Sequence, residues 1–277
     1  MAANFHLPPQ GFGPGSQPDE GEELDWLPLP SGMRTYDMHL PEVVDPAPLA
    51  PAFNLLTALA DACDAVAGGA ARRGFDLSGL DAENRALIAE TLGQGEVSLR
   101  AWGVPAFAVQ ESVFAGVWVL KAEGIDRVEV APIPAVALER AFVPQRPAIG
   151  VLAPRQPGVV NAPALLAELI DKSAAWRTRD DLHVVNLTLL PHTEEDLVWL
   201  DAALGQGSVT ILSRGYGNCR LTATGQAHVW RVQFFNSMDT LILDTFEVTD
   251  VPEVALAAPE DLADSADRIR EVLGAIR

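Results

Sequence analysis

The sequence has 277 residues, of which 48% are hydrophobic, enough to bury the core of one large domain or two small ones. Its 19 basic and 38 acidic residues give a formal net charge of -19, which disfavours nucleic acid and anionic lipid as partners because both attract basic surfaces. The two cysteines, Cys63 and Cys219, form no C-x-x-C pair, so the usual zinc-knuckle and thioredoxin patterns are excluded.

The start of the sequence predicts a flexible, acidic arm at residues 1–30. This stretch contains six prolines, four glycines and five acids, and it cannot bury enough surface to fold alone. No basic residue precedes Arg34, so the basic region of a signal peptide is missing, and we find no apolar stretch of membrane-spanning length. We therefore expect a cytoplasmic protein without membrane insertion.

Beyond the arm the sequence repeats itself. Leu92-Gly-Gln-Gly95 recurs as Leu204-Gly-Gln-Gly207, an offset of 204 − 92 = 112. At this offset nine of the 27 residues from 92 to 118 are identical to their counterparts, where the usual residue frequencies give about two. We infer a tandem duplication of an α/β unit, with a first repeat unit at 31–150 and a second at 151–277.

Each unit predicts the same elements in the same order. Two helices come first, and the second of them starts behind an N-cap residue, Asp81 or Thr193, and ends at the Gly-Gln-Gly turn. The predicted helices are 53–66, 82–92, 165–175, 194–204 and an amphipathic one from Pro259 to about Ile276. The strands predicted in the second unit are 184–190, 208–213, 219–224, 227–235 and 240–247. We expect an α+β fold with mostly antiparallel sheets flanked by helices, the two sheets side by side about a pseudo-twofold axis.

The two units differ most in the loop that follows the first long strand. Where the first unit has Trp102-Gly-Val-Pro105, the second has Arg214-Gly-Tyr-Gly217. The residues that the two units share are sufficient for the role of this loop in the fold. The additional polar residues in the loop of the second unit therefore favour a binding role over an ordinary hairpin loop. Arg214 can hold carboxylates or carbonyl groups, and Tyr216 is a common interface anchor.

A second predicted turn, Asn236-Ser-Met-Asp239, joins two very apolar strands that are either central strands or a surface for a partner. We take this turn and the polar loop as the candidate site. The candidate partner-binding residues are Ser213, Arg214, Gly215, Tyr216, Gly217, Asn218, Cys219, Arg220, Asn236 and Asp239.

Catalytic and metal-binding patterns are weak. The sequence has neither the G-x-S-x-G elbow of a hydrolase nor a phosphate-binding loop. Cys219 beside two arginines is either a reactive thiol or, since it aligns with Phe107, a core residue. His183, His192 and His228 lack the spacing of a metal site. We predict no enzymatic activity, cofactor or metal, and keep as the alternative an iron–sulfur or metal carrier that uses Cys219 and these histidines.

Several motifs resemble those of the HupH/HoxQ/HyaF family, the hydrogenase expression and formation proteins of bacterial [NiFe]-hydrogenase operons. The resemblance covers nearly all of the sequence beyond about residue 27, and its most specific motif is Ser213-Arg-Gly-Tyr-Gly-Asn-Cys219. The other motifs are 32–36, 40–42, 183–196, 204–207, 229–230, 235–237 and 239–244.

The resemblance implies a role in the maturation of uptake hydrogenase. It implies a chaperone that holds the iron–sulfur small-subunit precursor in the cytoplasm before export and assembly, and that works with other hydrogenase maturation proteins. The net charge of -19 would suit a partner whose export signal is basic.

Overall fold

The computed structural model of the chain describes residues 41, 43, 45–214 and 218–276. The predicted arm at 1–30 lies outside them. The α-helices of the described residues are α1 (Ala50–Ala67), α2 (Ala82–Leu92), α3 (Ala135–Arg140), α4 (Ala162–Ala175), α5 (Glu194–Leu204) and α6 (Pro259–Ile276). The strands are β1 (Arg73–Asp76), β2 (Val97–Ala101), β3 (Phe107–Glu111), β4 (Val117–Ala122), β5 (Ile125–Val130), β6 (His183–Asn186), β7 (Val209–Ser213), β8 (Asn218–Ala223), β9 (Val229–Phe235) and β10 (Leu241–Val248).

All ten strands form one open sheet, in the order β1-β5-β4-β3-β2-β7-β8-β9-β10-β6. Every neighbouring pair is antiparallel. From each edge of the sheet to its centre, the five strands of a half follow one another in the same pattern: β1-β5-β4-β3-β2 in the first half and β6-β10-β9-β8-β7 in the second. The two halves meet where β2 pairs with β7. The predicted α+β class is confirmed, with one correction: the two expected sheets are a single continuous sheet.

The start and end of the second helix in each half follow from single residues. The Asp81 side chain accepts a hydrogen bond from the Asn84 backbone N–H, and Thr193 accepts one from Asp196, so both predicted N-caps are present. Both helices end at a glycine with positive φ, 53° at Gly93 and 67° at Gly205. A Cβ on Gly205 would lie 2.3 Å from the Arg146 carbonyl oxygen, so the chain packs closely there.

The helices cover the two ends of one sheet face and leave its centre open. α1, α2 and α6 pack over the first half, against Val117 and Val130 among others, and α4 and α5 pack over Val229 and Val248 in the second half. On the opposite face a third cluster surrounds the fully buried Trp118 and Trp230, where α3 and its flanking loops cover the middle of the sheet. Strands near the two ends of the sheet thus have an apolar cluster on each face, whereas the central strands have one on a single face.

The C-terminal helix α6 has the predicted bounds and the predicted apolar face. We assigned it to the second unit by its position in the chain, but it packs against α1 in the core of the first half. The Ser265 hydroxyl also donates to the Ala115 carbonyl oxygen, 3.0 Å away. The end of the chain therefore stabilises the half of the sheet formed by its beginning.

Three local differences from the predicted elements have simple causes. The strand expected at 184–190 ends at Asn186, and 187–189 form a 3-10 turn instead. β9 begins at Val229 because the preceding His228 has a φ of 61°, which a strand does not accommodate. The short elements β1 and α3 were not predicted, because four or six residues give too little periodicity to recognise.

One helix in the described residues, Ala47–Ala67, is long and apolar enough to cross a membrane by length and composition alone. The sequence analysis overlooked it because polar residues such as Asn54 and Asp61 interrupt the apolar run. One side of it, with Leu56 and Leu59 fully buried, packs in the core of the first half, whereas Leu55 on the other side is only partly buried. These are the properties of a core helix, so the finding is weak evidence for a membrane span.

Candidate functional site

The polar loop of the candidate site connects β7 to β8. Ser213 is the last residue of β7 and is buried, whereas Arg214 after it and Asn218 at the start of β8 are exposed. The Arg214 backbone N–H donates to the Glu96 carbonyl oxygen at 3.2 Å, which fixes the beginning of the loop against the start of β2. Gly215, Tyr216 and Gly217 lie outside the described residues.

The predicted turn at 236–239 connects β9 to β10. The Asn236 side-chain oxygen accepts hydrogen bonds from the backbone N–H groups of Met238 and Thr240, both at 2.9 Å. Asp239 has a φ of 57°, a conformation that aspartate tolerates better than most residues. The side chain of Asn236 therefore shapes the turn from inside, and Asp239 completes it.

The structure brings the two predicted segments together. The Asn218 side-chain amide donates to Asp239 Oδ1 at 3.0 Å, which links the start of β8 to the β9–β10 turn. On the same face the Arg220 guanidinium lies 5.6 Å from the centroid of the Phe235 ring, a cation–π contact. Two loops that are distant in sequence therefore form one surface.

Exposed apolar residues surround this surface. The exposed fraction is 83% for Met238 at the turn and 56% for Ile242 on β10, and Leu189 in the neighbouring 3-10 turn is 80% exposed. From the sequence these strands were either central strands or an apolar surface, and neither Ile242 nor Leu189 was included in the site. Only the register of β10, with an irregularity between Leu241 and Leu243, determines which of its side chains remain exposed.

Cys219 faces away from this surface. It is buried in the cluster on the opposite side of the sheet, which also contains its counterpart Phe107, as the alignment of the two units predicts. Burial, together with a smaller contribution from the nearby Glu247 carboxylate, raises the pKa of the Cys219 thiol to about 12. A protonated, buried thiol is a poor nucleophile and a poor metal ligand.

Two histidines of the carrier alternative, His183 and His228, have separate structural partners, and the third, His192, is exposed. His183 Nε2 lies 2.7 Å from a Glu168 carboxylate oxygen, and His228 stacks on Trp176 with ring centroids 4.0 Å apart. Burial lowers the pKa of His228, although Asp250 partly opposes that effect. In the described part of the chain, no three His, Cys, Asp or Glu residues converge into a group that could hold a metal ion.

An acidic residue next to the site is also committed to a structural partner. Asp244, which is 4% exposed, accepts two hydrogen bonds from the Arg231 guanidinium, at 3.0 Å from Nε and 2.6 Å from Nη2. The bidentate pair neutralises both charges at the edge of the site. Asp244 therefore stabilises the β9–β10 pairing.

Comparisons with known proteins agree with the resemblance of the motifs. The family model described as "HupH hydrogenase expression protein, C-terminal conserved region" matches residues 159–276. The chain is 64% identical to "Hydrogenase expression/formation protein HupH" of Rhodobacter capsulatus over 100% of both chains. It is 45% identical to HoxQ of Cupriavidus necator over 98% of this chain and 97% of that one.

More distant relatives include the "Hydrogenase-1 operon protein HyaF" of Escherichia coli, 32% identical over 97% of this chain and 95% of the relative. A solved structure titled as the hydrogenase expression protein HupH of Thiobacillus denitrificans matches with 27% identity and a TM-score of 0.39, over 42% of this chain and 96% of that chain. The identity to the curated relatives extends over nearly the full length of each. The chain therefore belongs to the HupH/HoxQ/HyaF family of hydrogenase expression/formation proteins.

Proposed function

We propose that this chain is a cytoplasmic maturation chaperone of [NiFe]-hydrogenase that binds the iron–sulfur small-subunit precursor before export and assembly. Its relatives are named as hydrogenase expression/formation proteins, which supports the hydrogenase role. The choice of a chaperone and of the small subunit goes beyond those names. The small-subunit partner is what the resemblance of the motifs implies, and the surface that the two loops form supports a protein partner.

The observation that carries the proposal is the joining of the β7–β8 loop to the β9–β10 turn by the Asn218–Asp239 hydrogen bond. The resulting surface combines exposed arginines, Arg214 and Arg220, with exposed apolar side chains such as Met238. Arginine and large apolar side chains are the residue types that dominate protein–protein interfaces. A partner protein is therefore a better match for this surface than a small substrate.

The chemistry of the neighbouring groups also supports binding rather than catalysis. The Cys219 thiol is buried and faces the core, so it is neither accessible nor ionised. Asp239 and Asp244 already have hydrogen-bond partners in Asn218 and Arg231. These groups stabilise the surface, which leaves the exposed arginines and apolar side chains to contact a partner.

The test is to purify a tagged chain from cells that express the hydrogenase operon and to identify the proteins that come with it. We expect recovery of the small-subunit precursor with its export signal still attached. Arg214→Ala and Tyr216→Ala should each lower that recovery at least about fivefold, the size of effect that truncating an interface anchor produces. The Tyr216 variant tests a position outside the described residues.

The repeat provides a matched control. Val104 is the counterpart of Tyr216, since 216 − 104 = 112, and it is 98% exposed in the equivalent loop of the first unit. Val104→Ala should leave recovery of the precursor unchanged. The experiment uses a host whose deletion strain lacks active hydrogenase. If all three variants recover as much precursor as the unchanged chain does, the result is evidence against the proposed surface.

The alternative of an iron–sulfur or metal carrier gains no specific support from the described residues, because Cys219 and the three histidines do not converge. It makes a different prediction for the purified protein. Stoichiometric iron in anaerobically purified chain, lost on Cys219→Ser, would replace the chaperone proposal with the carrier.

A further inference from the structure

The open centre of the helix-covered sheet face forms a groove of about 890 Å³. Its floor is formed by residues of β2, β3, β4 and β7, and the end of α2 lines one wall. The register places Arg100 opposite Thr210 and Ala108, and it places Lys121 opposite Ala108. These side chains therefore share one face of the sheet, because alternate residues of a strand point to the same side.

Four cations line this face. Arg100 on β2, Lys121 on β4, Arg214 after β7 and Arg220 on β8 are all exposed, and Leu212, opposite Arg220, adds an apolar side chain that is 37% exposed. We call the surface formed by these five residues the basic groove. Arg214 and Arg220 also belong to the surface assigned above to the partner, so the basic groove extends that surface across the sheet.

The cations of the basic groove are not paired within the described residues. None of the four forms a salt bridge there, whereas six arginines elsewhere pair with carboxylates. The arginines with an ion pair are Arg72, Arg127, Arg146, Arg179, Arg231 and Arg270. In a chain with a formal net charge of -19, these four cations gather on one face without an ion-pair partner among the described residues, so they form a local positive surface.

The acids near the basic groove are few. Glu90 and Glu96 lie at the rim, and Asp126 is across the ladder from Lys121. Two further acids near this face already have partners: Asp239 accepts a hydrogen bond from Asn218, and Asp244 is neutralised by Arg231. The centre of the groove, from Arg100 to Arg220, is therefore positive.

We propose that the basic groove binds an acidic segment of the partner protein, with aliphatic side chains of that segment over Leu212. This inference depends on the proposed function, whose partner surface it extends, and it identifies the chemistry of the bound segment. Carboxylates pair with arginine in a planar, bidentate geometry, and charge complementarity raises the association rate and specificity. The basic export signal of the precursor would be repelled by this groove and would remain free.

Nucleic acid and anionic lipid are less suitable sources of the negative charge. Both present extended arrays of phosphate, which the net charge of -19 repels beyond the small area of the basic groove. A polypeptide segment can place a few carboxylates against the four cations. It does not bring an extended array of negative charge close to the acidic surface outside the basic groove. The occupant is therefore an acidic segment of a protein.

The first measurement is binding of the purified full-length chain to a fluorescent 15-residue peptide of Glu, Ala and Leu, and to a counterpart with Lys in place of every Glu. We expect the acidic peptide to bind and the basic one not to bind. The double variant Arg100→Glu/Lys121→Glu should weaken acidic-peptide binding at least about tenfold at low salt, and the difference should shrink to about threefold at 0.5 M salt, because salt screens exposed charges.

A second double variant controls for overall charge. Arg73 on β1 and Lys172 on α4 are exposed and form no salt bridge with a described residue, so Arg73→Glu/Lys172→Glu changes the charge by the same amount far from the groove. It should alter acidic-peptide binding by less than about twofold. Equal weakening by both double variants, or tighter binding of the basic peptide, would overturn the proposal.

Binding of the small-subunit precursor distinguishes failure of this inference from failure of the proposed function. If the wild-type chain binds the precursor and Arg100→Glu/Lys121→Glu binds it equally well, the acidic-segment inference is wrong and the chaperone proposal stands. If the wild-type chain does not bind the precursor but binds the acidic peptide through Arg100 and Lys121, the proposed partner is wrong and the basic groove stands.

Discussion

Leu99 of β2 lies directly opposite Ile211 of β7, and the two residues occupy the same position in the two repeats, since 211 − 99 = 112. The register around them is reciprocal, because Val97 pairs with Ser213 and Ala101 pairs with Val209. A twofold axis through the Leu99–Ile211 pair produces this pattern, as at a symmetric dimer interface. We propose that the duplication joined two copies of one unit along equivalent edge strands.

The two buried tryptophans should make matched contributions to stability. Trp118 Nε1 donates to the Ala131 carbonyl oxygen at 2.9 Å, and its counterpart Trp230 donates to that of Asp250 at 3.0 Å. Trp118→Phe and Trp230→Phe should each lower the free energy of unfolding by about 2–3 kcal/mol, because each leaves a cavity and a carbonyl without its donor. Urea denaturation measures the free energy of unfolding of each variant. The exposed Trp102 is the control, and Trp102→Phe should change stability by less than about 0.5 kcal/mol.

Asp196 should determine part of the acid sensitivity. Its buried carboxylate accepts hydrogen bonds from the backbone N–H groups of Val160, Asn161, Ala162 and Thr193. Burial raises its pKa, but these hydrogen bonds outweigh burial and lower the pKa from 3.8 to about 2. At about 1.4 kcal/mol per pKa unit, the charged form contributes about 2 kcal/mol above pH 4, which is lost as the pH falls toward 2.

Asp196→Asn should therefore destabilise the protein by about 2 kcal/mol at pH 7, and the difference should narrow as the pH falls from 4 to 2. Asp171→Asn, an exposed change on α4, controls for the loss of one negative charge. The counterpart of Asp196 is Asn84, which binds the Ala52 N–H at 2.9 Å without a titratable group. A pH-independent difference for Asp196→Asn would contradict the assignment.

Glu111 should have the opposite effect on the pH profile. Its pKa is raised from 4.5 to about 7, mainly by burial and in part by Glu96 and Asp261, and the hydrogen bond from the Gly116 N–H opposes this rise. Because the folded pKa lies above the unfolded one, the charged form destabilises the fold above pH 7, and this penalty disappears as the pH falls toward 4.5. Glu111→Gln should stabilise the protein by about 2–3 kcal/mol at pH 8 and little at pH 4.5, by urea denaturation. Glu123→Gln on the exposed β4–β5 turn should show no such pH dependence.

Cys219 should be dispensable for hydrogenase maturation. Cys219→Ala should lower the free energy of unfolding by about 1 kcal/mol, because it shortens a buried apolar side chain, and should leave hydrogenase activity in cells unchanged. Activity and thermal unfolding measure the two effects separately. Loss of hydrogenase activity in a variant that remains folded and abundant would mean that the thiol has a chemical role that its burial does not explain.

Much of the fold was predictable from local signals. The bounds of α2 and α5 follow from the N-caps Asp81 and Thr193 and from the glycines after each helix, which act within a few residues in sequence. The apolar face of α6 was readable from its 3.6-residue period. The joining of the two halves through β2 and β7 was not predictable, because a strand's alternation does not identify its neighbour across the sheet.

The candidate site was likewise predictable from the sequence only in part. The contrast between the repeats pointed to the loop containing Arg214 and Arg220, and the Asn236–Asp239 turn was visible as a hairpin. Their contact through Asn218 and the open face that exposes Arg100 depend on the strand register. Arg100 received no attention in the sequence because it lies in a part of the first unit that is otherwise apolar.

The reciprocal pairing of β2 and β7 has an evolutionary consequence. The Trp102 N–H donates to the Ser208 carbonyl oxygen, and its counterpart Arg214 donates to Glu96, so the two copies of the polar loop lie at opposite ends of the paired strands. A partner that occupies one end contacts one copy only. If the proposed partner binds at the Arg214 end, selection would act on that loop alone, and this would account for the divergence between Trp102-Gly-Val-Pro105 and Arg214-Gly-Tyr-Gly217.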